Sequence, residues 1–520
     1  EINEVVLGVA FTAGAAQQVI PFFDRGLPTE YEIMRSIRVV AGTERKRVGV
    51  VDTMVKIFGG QNLTSQQQMP RWSVVNELQK QYEVVEVNAE FPIPPDIDAL
   101  IVALPSSMQT DQMTNVAAYI RQGNPAMILV DPLPAVNPTL APTEWVGDGN
   151  PMTYPPGQPR PGPRGNVRQW IADMGVDWEP TRIVWDSYNP HPDLSYMPSE
   201  VVFLGSGNEN PDTFNPEADI AKDLQELVFL YPGFLGPGED PDVEFEPLLH
   251  TGVVSGHSGY FTLVQQSFFG PQINPNPPRE QDDETFALAV RVRKAGEPAA
   301  APTDPLAEGA SPWVTDGPLN LVVIADLDFI SEQFFQIRET APANLNFDNV
   351  TFFLNAMDSL IEDDSFIALR SRRARHRTLE RVEAQTAEFV EQRTLDEQQA
   401  ETDAEQALTD AQNRLNERVA EVQNRDDIDA QAKQIMARNL EEVENRRLQV
   451  LSANIQTEKE TQIRASLERM ETQIRAIQSR IKTFAILLPP IPVLAFGVMI
   501  FVRRQRRERE GAAAARRLRE

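Results

Sequence analysis

The chain contains no cysteine, and this absence excludes several kinds of chemistry. Disulfide bonds, thiol catalysis and cysteine-based zinc sites all need a thiol group. Histidine is scarce, with four residues in 520. No G-x-x-x-x-G-K-[ST] motif is present and no G-x-G-x-x-G follows a strand, while "FGGQN" (58–62) lacks the required spacing. We therefore expect no bound cofactor and no ATPase activity in this chain.

Positive charge is also in short supply, because the net charge is −28. Residues 503–520 contain eight Arg and three Glu, so the rest of the chain carries about −33. Nucleic acid phosphates would be repelled by a body this acidic. The sequence therefore argues against a nucleic acid partner.

A length of 520 residues is enough for two or three domains. Residues 1–42 have the pattern of the end of an α/β unit, with strand-like "EVVLGVAF" and "QQVIPFF" followed by helical "TEYEIMRSIRVV". The chain begins with Glu1, so we expect an upstream domain that supplies the partners of these strands.

The clearest fold signal lies between residues 46 and 135, where strand and helix patterns alternate. This alternation predicts right-handed βαβ units on a parallel, Rossmann-like sheet within an α/β domain spanning residues 43–370. The strands are "RVGVVDT", "EVVEVN", "ALIVALP" and "PAMILVDP", and the helices are "SVVNELQKQY" and "TDQMTNVAAYIRQG".

Residues 132–166 hold ten prolines and are interpreted as an insert, either a partner-binding loop or a lid. Beyond the insert we expect a helix at "ADIAKDLQELVFL", a buried strand at "LNLVVIADLDF" and a helix at "NVTFFLNAMDSLI". This second block is expected to complete the same sheet.

From residue 371 to residue 482 the composition changes to Glu, Gln, Arg and Ala, with apolar residues at steps of three and four. Such heptads predict a coiled coil. "NRDDID" (424–429) interrupts the pattern with a turn signal, so we expect an antiparallel helical hairpin. One continuous stalk that dimerises in parallel is the alternative.

Residues 483–502 carry no charged side chain and are followed by the basic tail 503–520. Twenty residues of helix are about 30 Å long, enough for one bilayer core. The sequence therefore predicts a transmembrane helix, with the C-terminus cytoplasmic and the preceding domains outside the inner membrane, in the periplasm. A buried hairpin in a soluble core is the alternative interpretation.

Polar residues follow the predicted strands at the edge where α/β proteins bind ligands. Asp326 and Asp328 in "ADLDF" could hold a cation or act as acid and base, or instead cap a helix and bond a loop. Asp131 follows another strand. Ser106 in "LPSSMQ" could be a nucleophile, but it lacks the G-x-S-x-G flanks and a histidine base, so a capping role is preferred.

The segment "HTGVVSGHSGY" (250–260) places two histidines seven residues apart. Together with Glu246 they could bind a metal, but a third convincing ligand is not evident. A glycine-rich turn between strands is the preferred interpretation, and no metal site is predicted.

Several segments resemble auxiliary subunits of gliding-motility-type ABC transporters (GldG-like). They occur in the family's order: "YEIMRSIRVV", "RVGVVD", "RWSVVNELQKQYEVVEVN", "DIDALIVALPSSM", "AAYIRQGNPAMILVDP", "VVIADLDFISEQFF", "NVTFFLNAMDSLI" and "SFIALRSRR". The resemblance covers nearly the whole chain and rests on a pattern of elements, not on a catalytic signature.

The resemblance implies a degenerate class I glutamine-amidotransferase-like domain, in which the position of the nucleophilic cysteine falls near Ser106. It also implies a separate permease and a cytoplasmic ABC ATPase as partners. The long hairpin and the proline-rich insert depart from the commoner family form.

From the sequence we therefore expect a membrane-anchored, extracytoplasmic accessory subunit that binds or couples without catalysis. Envelope proteins, a glycan, or further copies of the chain are possible partners. The alternative is a structural scaffold of an envelope assembly without transport activity, and a hydrolase using Asp326 and Asp328 is a third class.

Overall fold

The computed structural model divides the chain into two compact units, Glu1–Leu379 and Glu380–Glu520. It describes residues 8–371 apart from 15, 21–27, 43–44, 62–67, 145–163, 192–193, 195, 268–269, 275–276, 283, 299–312, 314–316 and 341–344, and residues 392–517 apart from 393–394, 397–398, 401, 405, 415–416, 418–429 and 488–489.

The described residues form twenty strands and ten α-helices. The strands are β1 Val9–Ala13, β2 Ala16–Ile20, β3 Arg47–Val51, β4 Gly60–Gln61, β5 Gln68–Met69, β6 Glu83–Val87, β7 Ala99–Ala103, β8 Ala126–Leu129, β9 Val176–Trp178, β10 Arg182–Asp186, β11 Val201–Gly205, β12 Glu226–Leu230, β13 Leu235–Pro237, β14 Glu244–His250, β15 Ser255–Gly259, β16 Val264–Ser267, β17 Gly270–Ile273, β18 Glu280–Gln281, β19 Ala287–Lys294 and β20 Leu319–Ile324. The helices are α1 Thr29–Val40, α2 Ser73–Gln79, α3 Thr110–Ile120, α4 Val167–Ala172, α5 Tyr260–Leu263, α6 Glu332–Thr340, α7 Asn349–Leu360, α8 Ile367–Arg370, α9 Ala430–Leu487 and α10 Pro490–Arg517.

The first unit is organised around a nine-stranded sheet whose main path runs β6-β3-β7-β8-β20-β19-β13-β9, with β14 paired to β19. The five strands β6, β3, β7, β8 and β20 are parallel. This is the doubly wound order 2-1-3-4-5, whose topological switch point lies between β3 and β7. The predicted βαβ units are therefore present.

The parallel strands are apolar throughout because both faces of the sheet are covered. All five residues of β7 are buried, and successive side chains enter opposite cores. Ile101 packs with α2 and α7 on one face, whereas Leu100 and Val102 pack with α3 and α4 on the other. Burial on both sides fixes the register, since a one-residue slip would exchange the two faces.

The prediction of a wholly parallel sheet is wrong, because the sheet is mixed. Strand β19 is antiparallel to β20, β14 and β13, and β13 is antiparallel to β9. Parallel neighbours need crossover connections, usually helices. Among the described residues between α4 and β20, α5 is the one helix and has four residues. The second block therefore adds β9, β13, β14 and β19 through antiparallel pairs, whereas β20 pairs parallel with β8.

The predicted helix at "ADIAKDLQELVFL" is also wrong, because its second half is strand β12. Residues 226–230 pair antiparallel with β11, from Val201 opposite Leu230 to Gly205 opposite Glu226. Val228 and Phe229 are buried in the domain core. Helical periodicity in a short apolar run is a weak prior, and tertiary packing overrides it here.

The N-terminal segment pairs within itself. Strands β1 and β2 form an antiparallel hairpin, and α1 lies against it. The buried ring of Tyr31 in α1 packs edge-on against Phe366, with ring centroids 5.7 Å apart. The assignment of residues 1–42 to an upstream domain stays a prediction.

A buried ion pair joins the last two described helices of this unit, α7 and α8. The Arg370 guanidinium in α8 and the Asp358 carboxylate in α7 are 2.7 Å apart, and both side chains are fully buried. Arg370 also donates hydrogen bonds to Asn355 Oδ1 at 2.7 Å and to Tyr31 Oη at 3.2 Å. The last helix of the unit is thus tied to α7 and α1 through one side chain.

The second unit is helical where it is described, with α9 of 58 residues followed by α10 of 28. Asp396 Oδ2 accepts a hydrogen bond from Ser466 Oγ at 2.8 Å and lies 3.3 Å from the Arg469 guanidinium. These contacts join segments about 70 residues apart in sequence. The predicted break at 424–429 and the heptad residues Leu415, Val419 and Val422 lie outside the described residues, so the hairpin stays a prediction.

The predicted transmembrane helix at 483–502 is wrong. Among the described helices, none combines the length and the apolar character that a membrane crossing requires. Within the uncharged run, α9 is described to Leu487 and α10 from Pro490, and residues 488–489 lie outside the described residues. The uncharged part of α10 before Arg503 is 13 residues, or about 20 Å of helix against the roughly 30 Å of a bilayer core.

Replacing the buried arginine tests how strongly the first unit depends on its ion pair. Arg370→Met leaves the Asp358 carboxylate buried without its cation, so we expect a loss of about 3–5 kcal/mol in the free energy of unfolding. Arg38→Met is the matched control, because Arg38 is partly exposed and pairs with Asp363. Its loss should stay within about 1 kcal/mol. Equal losses in urea unfolding would contradict the assigned role of Arg370.

Candidate functional site at the carboxyl edge of the sheet

A strained turn follows the central strand β7. Leu104 has a left-handed backbone with φ 56° and ψ 60°, and residues 105–107 then form one 3-10 turn before α3. A bulky residue rarely adopts this conformation, and in α/β hydrolases the nucleophile occupies such a strand-to-helix turn. Here the position holds a fully buried leucine, which has no reactive group.

Ser106, the predicted nucleophile candidate, sits two residues further along this turn. Its side chain is buried, and its Oγ has no hydrogen-bond partner among the described residues. The neighbouring Ser107 Oγ donates a hydrogen bond to the Leu104 carbonyl at 2.9 Å and accepts one from Met54 N at 3.3 Å. The predicted capping role of Ser106 is wrong, because the N-cap of α3 is Gln109, whose backbone N–H donates a hydrogen bond to the Gln112 side chain at 2.8 Å.

The other three candidates form one cluster. Asp131 follows β8, and Asp326 and Asp328 follow the neighbouring parallel strand β20. A carboxylate oxygen of each lies within 4.8 Å of the other two, and all three residues are fully buried. The carboxyl ends of adjacent parallel strands therefore bring Asp131, Asp326 and Asp328 together, as the strand pattern implied.

Every oxygen of the cluster accepts a backbone hydrogen bond. The donors come from three parts of the chain: the segment after β8, the end of β12, and the segment after β20. They are Leu133 N and Leu327 N to Asp131, Leu230 N and Asp328 N to Asp326, and Ala135 N and Val136 N to Asp328. The cluster thus ties three loops to one point.

Electrostatics favour the protonated form of these groups. Burial raises the pKa of Asp131 and Asp326 well above the usual range, and the neighbouring carboxylates raise both further. Burial raises the pKa of Asp328 to about 7, and its hydrogen bonds from Ala135 and Val136 oppose this. Three carboxylates this close cannot all be charged cheaply in a buried site.

Chemically, the cluster offers three oxygen ligands of the type that Mg²⁺ and Ca²⁺ prefer. Its oxygens are, however, already occupied by the N–H groups that position the loops. The arrangement is that of a structural tie, and it gives these carboxyl groups no exposed surface toward a substrate.

The histidine-rich segment 250–260 does not form a metal site. His250 Nδ1 lies 3.2 Å from the Asp212 carbonyl oxygen, whereas His257 Nδ1 lies 2.8 Å from Asp282 Oδ2. Glu246 binds Arg291 instead. Within the described part of the chain, the three-aspartate cluster is the one group with metal-compatible spacing.

One buried acid, Asp186, was not among the candidates predicted from the sequence. Asp186, at the end of β10, accepts hydrogen bonds from Tyr188 N and Gly252 N, both at 2.7–2.8 Å. Burial raises its pKa to about 7. The sequence "IVWDSY" does place an acid directly after an apolar strand, the same signal that drew attention to Asp131.

Fold and site together define an α/β protein with a doubly wound parallel core whose strand edge is closed by internal hydrogen bonds. Residues 45–356, more than half of the chain, match the family of auxiliary components described as "ABC-type uncharacterized transport system". The chain belongs to this family. No curated protein matches the chain, and no solved structure matches it either.

Family membership confirms the prediction of an ABC transporter auxiliary component. It implies association with components of an ABC-type transport system. Family membership does not establish the two narrower predictions, a GldG-like subunit and an amidotransferase-like domain.

The aspartate cluster predicts an unusual pH dependence of stability. An aspartate titrates near 4 in an unfolded chain, and the folded pKa values are raised. The folded chain therefore binds more protons above pH 4, so the free energy of unfolding should fall as pH rises toward 7 and beyond. Each aspartate that is protonated in the folded chain but ionised in the unfolded chain lowers the free energy of unfolding by about 1.4 kcal/mol per pH unit.

Urea unfolding between pH 5 and 8 measures this slope. Asp326→Asn removes one member of the cluster and should flatten the decline, although it also lowers stability by disturbing a backbone acceptor. Asp186→Asn serves as the control. It removes a buried aspartate with a raised pKa that lies outside the cluster, so the part of the pH dependence that the cluster contributes should remain. A wild-type stability that stays constant or rises over this range would contradict the prediction.

Proposed function

We propose that this chain is a non-catalytic binding or coupling subunit of an ABC-type transport complex. The family supplies the auxiliary role. In the proposal, a permease and an ATPase are separate chains, and ATP hydrolysis in the ATPase supplies the energy. The ATPase is assigned elsewhere because the sequence has no P-loop motif.

The observation that carries the non-catalytic role is the identity of the strained residue after β7. A strained backbone of this kind persists only where the surrounding packing holds it in place. In α/β hydrolases such a turn carries the nucleophile. In this chain the residue is Leu104, whose side chain packs in the domain core. In this chain the strained position therefore carries a hydrophobic side chain and no reactive group.

The remaining polar groups at this edge support the same role. The carboxyl groups of the cluster are engaged by backbone N–H groups, and Asp52 after β3 is bound by Lys56 Nζ at 2.7 Å. Ser106 Oγ forms no hydrogen bond to any described acid or base. A hydrolase that uses Asp326 and Asp328 is therefore disfavoured by the geometry.

A location at the inner membrane is part of the proposal. The arginine-rich residues 503–520 suit the anionic lipid surface of a cytoplasmic leaflet. The periplasmic placement of the α/β domain and a kinship with gliding-motility systems stay predictions from the sequence.

Co-purification tests the transport role directly. The full chain, isolated in mild detergent from the cells that make it, should recover an ABC ATPase and a permease in fixed ratio, identified by mass spectrometry. An unrelated tagged protein of the same cells is the control. Recovery of envelope proteins without an ATPase would favour the scaffold alternative and contradict the proposal.

The serine at the turn tests the non-catalytic role. Ser106→Ala removes a buried hydroxyl group without a partner, so stability should be unchanged or higher by about 1 kcal/mol. Co-purification and transport by the complex should persist. Ser107→Ala is the matched control and should cost about 1 kcal/mol, since it removes two hydrogen bonds. Loss of transport in a stably folded Ser106→Ala chain would contradict a non-catalytic role.

A further inference from the structure

Helix α10 carries exposed apolar side chains in its first half. Six large apolar residues between positions 496 and 502 are 39–66% exposed: Phe496, Val498, Met499, Ile500, Phe501 and Val502. A Cβ added at Gly497 would meet no atom within 4 Å, so the helix is open to its surroundings there. Contiguous exposed apolar surface of this kind marks a place where a protein binds a partner or a membrane.

The exposed apolar surface runs all the way round the helix. Residues 498–502 are consecutive and all exposed. Successive side chains of an α-helix are about 100° apart, so these five side chains point in every direction around the axis. A helix that binds in a protein groove needs an apolar stripe on one side. Apolar side chains on every side need a medium that surrounds the helix, and the acyl chains of a lipid leaflet are such a medium.

Basic side chains follow the apolar segment directly. Arg503, Arg504, Arg506 and Arg507 are exposed, and Glu508 is the first acid after them in the sequence. This local excess of positive charge occurs in a chain of net charge −28. Basic residues beside an apolar membrane segment attract anionic lipid headgroups, whereas the acidic remainder of the chain is repelled by them. Charge therefore directs this end of the chain toward anionic lipid.

The length of the apolar segment suits entry into one leaflet. Thirteen residues, Pro490 to Val502, precede Arg503, and they form about 20 Å of helix. A bilayer core is roughly 30 Å thick, so one leaflet contributes about 15 Å. Apolar runs of roughly 10–14 residues are typical of segments that lie in the interface or re-enter the same face. Guanidinium groups after such a run stay at the headgroups.

We propose that α10 inserts its apolar segment into one leaflet of a membrane that contains anionic phospholipid, without crossing the bilayer. The arginines after Val502 lie at the headgroups of the leaflet that the helix enters. This inference rests on the inner-membrane location in the proposed function and names the lipid that the chain recognises there. Burial of apolar side chains supplies affinity, and the arginines select anionic lipid over neutral lipid.

Because the chain has no cysteine, insertion can be measured at single positions. The full-length Met499→Cys chain is labelled with an environment-sensitive fluorophore, purified in mild detergent and diluted into sealed vesicles of phosphatidylcholine and phosphatidylglycerol. We expect a blue-shifted emission that lipids with brominated acyl chains quench, since position 499 enters the leaflet. Val450→Cys is the matched control, because Val450 is 63% exposed on α9, and it should show neither effect.

Vesicle composition and charge reversal test the arginines. Binding to vesicles of phosphatidylcholine alone, measured by flotation, should be at least tenfold weaker than binding to the mixed vesicles. Arg506→Glu and Arg507→Glu together should weaken binding to the mixed vesicles at least tenfold, because each arginine near an anionic surface strengthens binding about fivefold. Arg446→Glu with Arg447→Glu is the matched control, an adjacent exposed pair on α9, and should leave binding unchanged.

The position of the tail separates insertion from crossing. A membrane-impermeant thiol reagent, added outside the sealed vesicles after binding, should label Gln505→Cys completely, because the tail stays on the side from which the helix entered. Protection of position 505 that detergent removes would show that the helix crosses the bilayer, and this result would contradict the inference.

Three further results would overturn it: no spectral shift at position 499 with mixed vesicles, which would leave a protein as the occupant; equal shifts at positions 499 and 450; or equal binding to neutral and mixed vesicles. If the chain still co-purifies with the ATPase in these cases, the insertion fails while the proposed function stands. If the wild-type chain recovers no ATPase, the proposed function itself fails.

Discussion

The carboxyl edge of the sheet depends on three buried aspartates that accept backbone hydrogen bonds. Asp131, Asp326 and Asp328 collect N–H groups from loops that would otherwise end at the sheet edge without partners. Buried backbone donors need acceptors, and a carboxylate supplies two strong ones. The same concentration of acid explains why protonation and folding are linked in this region. The same hydrogen bonds therefore close this edge and keep the three carboxyl groups buried.

The opposite end of the unit depends on charge in a different way. There Arg370 joins α8, α7 and α1 through the Asp358 carboxylate and the Tyr31 hydroxyl group. Buried ion pairs contribute little net stability, but removing one partner is costly, so they fix geometry. Here the hydrogen bond from Arg370 to Tyr31 also sets the rotation of α1 against α8. The segment that enters the domain and the segment that leaves it are set by the same side chain.

The turn after β7 is the strained point of the carboxyl edge. Leu104 adopts a left-handed backbone there, and the strain remains because β7 and α3 pack firmly on both sides of it. This turn and the aspartate cluster both lie within residues 45–356, the part of the chain that matches the auxiliary transport-system family.

The amino-acid sequence predicted the parallel strands of the core and singled out Asp131, Asp326 and Asp328 as separate candidates. Apolar runs such as "ALIVA" suit strands that are buried on both faces, and residues that follow parallel strands lie at one edge of the sheet. The meeting of the three carboxyl groups, and the backbone donors that they share among three loops, depended on the packing of the sheet. The sequence also indicated an uncharged run at 483–502, but among the described helices none has the length and apolar character of a membrane span.

Other features rest on partners distant in the chain and became apparent from the tertiary structure. "ELVFL" became strand β12 because β11 lies beside it. Strands β9, β13, β14 and β19 joined the sheet antiparallel, because the described residues between β9 and β19 contain no helix longer than four residues. The left-handed Leu104 and the contact of Arg370 with Tyr31 in α1 have no local signature either. Each is stabilised by contacts from residues far away in sequence, whereas propensity and periodicity report only on neighbours along the chain.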